Sequence, residues 1–201
     1  MTASAKLGRA VPLFAALAVA LLLAACETPP RQNDFPELTY QHLPPLKFDV
    51  AGVDIEQAYR SPGQPPHVEH LFAMKPADAA ANWARDRLQP VGSQRRMRFI
   101  VTEASVVEVP LSIEEGFQGA LVLEQSERYE ARLSVEAQVI DDSGRLEGKA
   151  TAKAERTITV AEDISVRQRE RVWFKLTENV MNDLGAQLEV TLSKVFAAHR
   201  R

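Results

Sequence analysis

The chain has 201 residues, enough for one domain with peripheral segments, and its 45% hydrophobic and 25% charged content is that of a globular protein. That composition excludes a multi-span membrane protein and a disordered chain. The net charge of −3 argues against nucleic acid as a partner, and the single cysteine, Cys26, excludes an internal disulfide and a thiolate metal cluster.

Lys6 and Arg9 open the chain as a basic segment, and no charged residue follows from Ala10 to Ala25. Sixteen helical residues span about 24 Å, short of the roughly 30 Å hydrocarbon core, so this run predicts a signal sequence rather than a stable transmembrane helix. It closes on Leu23-Ala24-Ala25-Cys26. The motif resembles the bacterial lipobox, with Leu three positions before the cysteine and small residues between. The resemblance implies that residues 1–25 are a lipoprotein signal peptide cut before Cys26. It also implies that the Cys26 thiol takes a diacylglyceryl group and that the new amino terminus is acylated, with palmitate-type chains. Loss of Lys6 and Arg9 leaves 22 basic against 27 acidic residues, a net charge of −5. Such a product gains nothing from anionic headgroups, so lipid on Cys26 is the expected attachment. Glu27 follows the cysteine where enteric inner-membrane lipoproteins carry aspartate. The resemblance therefore leans toward the outer membrane, with the domain facing the periplasm.

Residues 26–45 carry five of the twelve prolines and no apolar periodicity. They predict an extended tether with a reach of up to about 60 Å. The sequence equally allows Phe35 to Leu43 to pack along the domain.

A single domain is expected over residues 46–201. Leu46, Phe48 and Val50 alternate with polar residues as a half-buried strand, and the phase slip at Gly52 before Val53 and Ile55 predicts a β-bulge. Pro76 starts a short helix with Ala80, Trp83, Ala84 and Leu88 on one side, stopped by Pro90 and Gly92. Met97, Phe99 and Val101 mark a second strand that continues through Val106 to Pro110. Tyr129 to Val139 alternate strictly in a third strand. Asp141-Asp142-Ser143-Gly144 then predicts a hairpin turn, and Leu146 to Val160 a fourth strand whose alanines leave room for a helix. That helix runs from about Ser165 to Ala197. It has capping-box spacing at Ser165 and Gln168, a stripe from Trp173 to Val195, and Gly185 as its weakest interior point.

The order β-α-β-β-β-α predicts an α+β two-layer sandwich, a mostly antiparallel four-stranded sheet with two helices on one face and a long C-terminal helix. Lipobox, Pro-rich tether and element order together resemble two groups of envelope lipoproteins. One is the lipoprotein that plugs the outer-membrane lipopolysaccharide translocon, and the other is the auxiliary lipoprotein of ABC-type lipid transporters. The resemblance implies a non-enzymatic accessory subunit that binds a protein partner, without a cofactor, in outer-membrane assembly or lipid transport. A regulator of a cell-wall synthase is the alternative expectation, and an enzyme a more distant one.

Four places invite a functional reading. His67-Val68-Glu69-His70 has metal-like spacing, but it follows Pro65-Pro66 in a loop or strand entry that points the histidines apart, so a solvated loop is expected. Asp141-Asp142-Ser143-Gly144 lacks the later ligands of a calcium loop. Arg156 and Glu103 fall on the apolar phase of their strands. Either they pair at the sheet's end or both sit in water beyond the helix cover. Gly116 to Leu123 is apolar and glycine-bearing, and Phe117, Leu121 and Leu123 are the candidate contacts to a partner or a lipid. The alternative is a plain inward extension of the third strand.

Overall fold

The computed structural model describes residues 35–111, 125–161 and 163–201. Strand β1 (Leu46–Phe48) and strand β2 (Gly52–Gln57) precede helix α1 (Pro76–Arg87), followed by β3 (Leu88–Pro90), β4 (Arg96–Pro110), β5 (Gln125–Ile140), β6 (Leu146–Ala161) and helix α2 (Val166–Val195). A four-stranded mixed sheet has the order β2-β4-β5-β6, with β2 parallel to β4 and the other neighbours antiparallel. Helices α1 and α2 cover one face. The fold is the expected α+β sandwich.

The helix-facing residues alternate as the sequence requires. Met97, Phe99 and Val101 of β4, and Tyr129, Leu133, Val135 and Val139 of β5, are buried beneath the helices. On β6 the inner side chains Ala150, Ala152 and Ala154 are small and buried, so α2 approaches closely. Ser165 caps α2, its hydroxyl accepting from the Gln168 amide while Gln168 Oε1 accepts from the Ser165 amide at 2.9 Å. Gly185 is a point of close approach rather than of weakness, because a Cβ there would lie 3.1 Å from Trp83 Nε1.

Two expectations are corrected. The slip at Gly52 is not a bulge within one strand. The chain breaks at Asp49–Ala51, with the Ala51 amide bonded to the carbonyls of Gln94 and Arg95, and β1 leaves the main sheet to pair in parallel with β3. The bulge lies instead at Thr102, where the β4–β5 register passes from Val101↔Val135 to Glu103↔Ser134. That extra residue moves the buried phase from Val101 to Ala104 and Val106, and it turns Glu103 onto the outer face.

Of the two readings of residues 35–45, packing along the domain is the one found. The Tyr40 amide donates to Asp86 at 2.7 Å, Asn82 Nδ2 donates to Glu37 and to the Leu38 carbonyl, and Arg87 Nε donates to the Pro44 carbonyl at 2.9 Å. Phe35 stacks on Phe174 of α2 with ring centroids 5.3 Å apart. At the other end of α2 the buried Phe196 packs edge-on against Phe48, and the chain then lines up beside β1. The Asp49 amide donates to the His199 carbonyl at 2.6 Å, and Arg200 bridges Phe48.

The opposite sheet face is polar and carries ion pairs both across and along its strands. Arg98 grips both oxygens of Glu56 at 2.8 Å, Lys149 meets Glu136 at 2.6 Å, and Glu130 lies between Arg128 and Arg132. Strand β6 forms one margin of this sheet, and at its middle the Lys153 amide donates to Gln187 Oε1 of α2.

Candidate functional site

The His67-Val68-Glu69-His70 segment is not a free loop. It continues the sheet past the end of β2, pairing with β4. The Val68 amide donates to the Val106 carbonyl, the Glu108 amide donates to the Pro66 carbonyl, and His67 bridges Val107. This pairing carries Glu69 inward until it is only 3% exposed. A carboxylate so placed must be fully hydrogen-bonded. Tyr59 donates its hydroxyl to Oε1 at 2.8 Å, and the Val106 amide donates to Oε2 at 3.0 Å. Burial pushes the Glu69 carboxyl up, but bonds from Ser61, the Val106 backbone and Tyr59 outweigh it and hold the group below the usual 4.5. Burial and the neighbouring carboxylate push the Tyr59 phenol well above its ordinary range, so it stays a donor.

A cleft of about 230 Å3 opens here between the end of β2 and the start of α1, lined by Tyr59, Glu69, His70, Lys75, Ala77 and Asp78. Glu69 has both oxygens committed to protein donors, so it fastens the 58–71 connection to β4 rather than standing ready as a base. His67 Nδ1 lies 3.8 Å from Glu69 Oε2, and among the described residues no group of three or more His, Cys, Asp or Glu is placed to hold a metal ion.

The Asp141 turn is a side-chain-capped hairpin. Asp141 Oδ1 accepts from the Ser143 hydroxyl at 2.6 Å and from the Ser143 and Arg145 amides at 2.9 Å, which pull its carboxyl down to about 2. Gly144 takes φ +84 there, a conformation side chains rarely adopt.

Arg156 and Glu103 do not pair. Arg156 reaches Asp183 of α2, with Nη2 donating to Oδ1 at 2.8 Å and Nε donating to Oδ2, while Glu103 accepts from Ser105 on the outer face. Arg156 is about half exposed, so solvent screens the pair and its coupling is small. A double-mutant cycle on Arg156→Ala and Asp183→Ala should show a correspondingly small coupling. The pair Arg156→Ala and Glu103→Ala should be additive within about 0.5 kcal/mol in urea unfolding.

Cys26, Phe117, Leu121 and Leu123 lie outside the described residues. The flanks of the Gly116–Leu123 segment, Pro110 and Gln125, are at the end of the sheet where β6 finishes and α2 begins, Gln125 pairing with Ala161. Sequence reasoning missed Glu69 and Arg87 as buried charges. Arg87 is 2% exposed, lies over the Trp83 ring and meets Glu189 of α2 at 2.6 Å. A basic residue in the last turn of a helix ordinarily reads as solvated, and no local signal marks this one.

No protein-family model matches the chain, and no curated protein does. Among solved structures, its neighbours are bacterial lipoproteins. A minor lipoprotein from Acinetobacter baumannii is 15% identical, the match covering 75% of this chain and 96% of that one, with a TM-score of 0.37. Rare lipoprotein B from Shewanella oneidensis is 12% identical over 71% and 95% of the two chains, TM-score 0.39. A lipoprotein from Caulobacter crescentus is 14% identical over 68% and 90%, TM-score 0.28. The likeness is one of layout, and the function proposed for this chain rests on its own residues.

Proposed function

We propose that this chain is an envelope lipoprotein, held to a membrane by lipid on Cys26, whose domain serves as a non-enzymatic, partner-binding subunit in outer-membrane assembly or lipid transport. The observation that carries the reading is the uncharged run from Ala10 to Ala25 closing on Leu23-Ala24-Ala25-Cys26. The domain supports it in two ways. Glu69, the most buried acidic side chain described, is spent on fastening a loop, and the broad outer sheet face offers arranged charge for recognition.

Cys26→Ser is the test. The wild-type protein should sediment with membranes and take up an alkyne-tagged fatty acid. The variant should lose the label, appear in the periplasmic fraction, and fail to restore the barrier to large antibiotics in cells depleted of the protein. Full restoration by a soluble, unlabelled Cys26→Ser protein would sink the reading.

A further inference from the structure

Strand β6 lies at an edge of the four-stranded sheet, and only part of that edge is closed. The Lys153 amide points away from β5 and donates to Gln187. In an antiparallel ladder the outward-pointing residues recur at every second position, and the β5–β6 register runs without a shift from Val139↔Gly148 to Glu127↔Val160. Glu155, Thr157 and Thr159 therefore also turn both amide and carbonyl away from β5. Among the described residues no group is bonded to these atoms. Glu155 and Thr157 are exposed, and Thr159 is partly so.

This open stretch leads to an apolar cup. Ala161 ends β6, and with Ile164 and Val172 it walls a depression of about 400 Å3 that Gln168 and Arg171 also line. Ile164 and Val172 are only partly buried against the core. Since α2 supplies one wall, the cup lies on the helix side of the edge. A side chain pointing inward from a strand added here would continue the helix-facing layer and meet the cup beside Ala161.

The open groups define the occupant. Backbone donors and acceptors repeating about every 7 Å along a line are matched by another polypeptide backbone. A second β6 does not suit the cup. Its inward side chains Ala152, Ala154 and Val160 are buried under its own α2, which leaves none to fill the depression. The occupant is a strand without a helix cover of its own. Gln187 limits that strand to the half of the edge next to the cup.

We propose that residues 155–159 of β6 accept a short extended segment of a partner protein as an added strand, with one apolar side chain of that segment seated between Ala161, Ile164 and Val172. This rests on the reading of the domain as a partner-binding subunit and names the surface it uses.

The full-length protein is expressed in its own cells with p-benzoylphenylalanine at Thr157 or, on the outer sheet face, at Gln138. The cells are irradiated and the adducts mapped by mass spectrometry. Position 157 should give an adduct with one partner protein, confined to one short segment. Its yield should fall severalfold with Thr159→Pro, which removes an outward amide that an edge strand can spare. It should fall likewise with Arg171→Trp, which crowds the cup from an exposed helix position. A synthetic peptide of the crosslinked segment should slow hydrogen exchange severalfold at the amides of residues 155, 157 and 159 in the purified protein. Arg171→Trp and the exchange measurement decide the matter should Thr159→Pro not fold. An adduct with a second copy of this chain or with lipid overturns the proposal, as does a peptide that leaves those amides unprotected. Protein adducts from position 138 alone overturn the edge site and keep the partner-binding reading, whereas no protein adduct from either position overturns both.

Discussion

Trp83→Ala should lower the unfolding free energy by about 3–5 kcal/mol. The indole sits where three elements meet. It is 1% exposed, stacks on Phe99 of β4 with centroids 6.0 Å apart, carries Arg87 over its face, and receives the backbone of α2 at Gly185. Alanine there leaves a cavity that neither helix can close, since α1 is tied to residues 35–45 and α2 to β6. It also strips the stacked surface from Arg87, whose remaining partners are the half-exposed Glu189 and the Pro44 carbonyl. Guanidinium unfolding monitored by far-ultraviolet circular dichroism measures the loss. Val190→Ala, at a side chain 70% exposed on α2, should change stability by less than about 0.5 kcal/mol. Equal effects at the two positions would remove Trp83 from the centre of the core.

Glu69→Ala should cost about 2–4 kcal/mol, because it leaves the Tyr59 hydroxyl and the Val106 amide without their acceptor at a buried site. Glu69→Gln keeps the shape and one acceptor oxygen, and should fall between wild type and alanine. The pH dependence separates charge from shape. The native carboxyl titrates below the usual 4.5, so its contribution is complete above about 4.5 and is lost as pH falls through the native value. Wild-type stability should therefore drop more steeply from neutral pH toward pH 3 than that of Glu69→Gln. Asp54, Glu136 and Asp141 are also held low and impose a shared acid loss, so the difference between the two proteins reports Glu69. Parallel curves would show that Glu69 is not ionised in the native protein.

The long elements were legible because periodicity accumulates over many residues. The alternation of β5 and the seven-member stripe of α2 leave little freedom, and Ser165–Gln168 fixes the start of α2 locally. The small elements were not. Leu88–Pro90 reads as the frayed end of a helix, since three residues carry no period, and only pairing with Leu46–Phe48 makes them a strand. Both phase errors share a cause. A slip between two apolar registers has the same appearance in sequence whether one residue bulges, as at Thr102, or the chain changes sheets, as at Asp49–Ala51. Glu103 therefore looked like a charge on the apolar face when it marked the bulge beside it. The candidate sites were less legible still, because Val106 holds Glu69 from 37 positions away and Glu189 meets Arg87 from 102 positions away, distances that no local pattern reports.

The hydrogen bond from the Lys153 amide to Gln187 bears on how this protein behaves at high concentration. A sixteen-residue strand at a sheet margin is a template on which another chain can grow edge to edge. Gln187 occupies a backbone donor at the midpoint of that template, while Lys149, Lys153 and Glu155 stand exposed along it. An incoming strand would have to displace the glutamine and bury charge before it gained its first central bond. In concentrated solution that guard keeps neighbouring copies from growing strand on strand into fibrils.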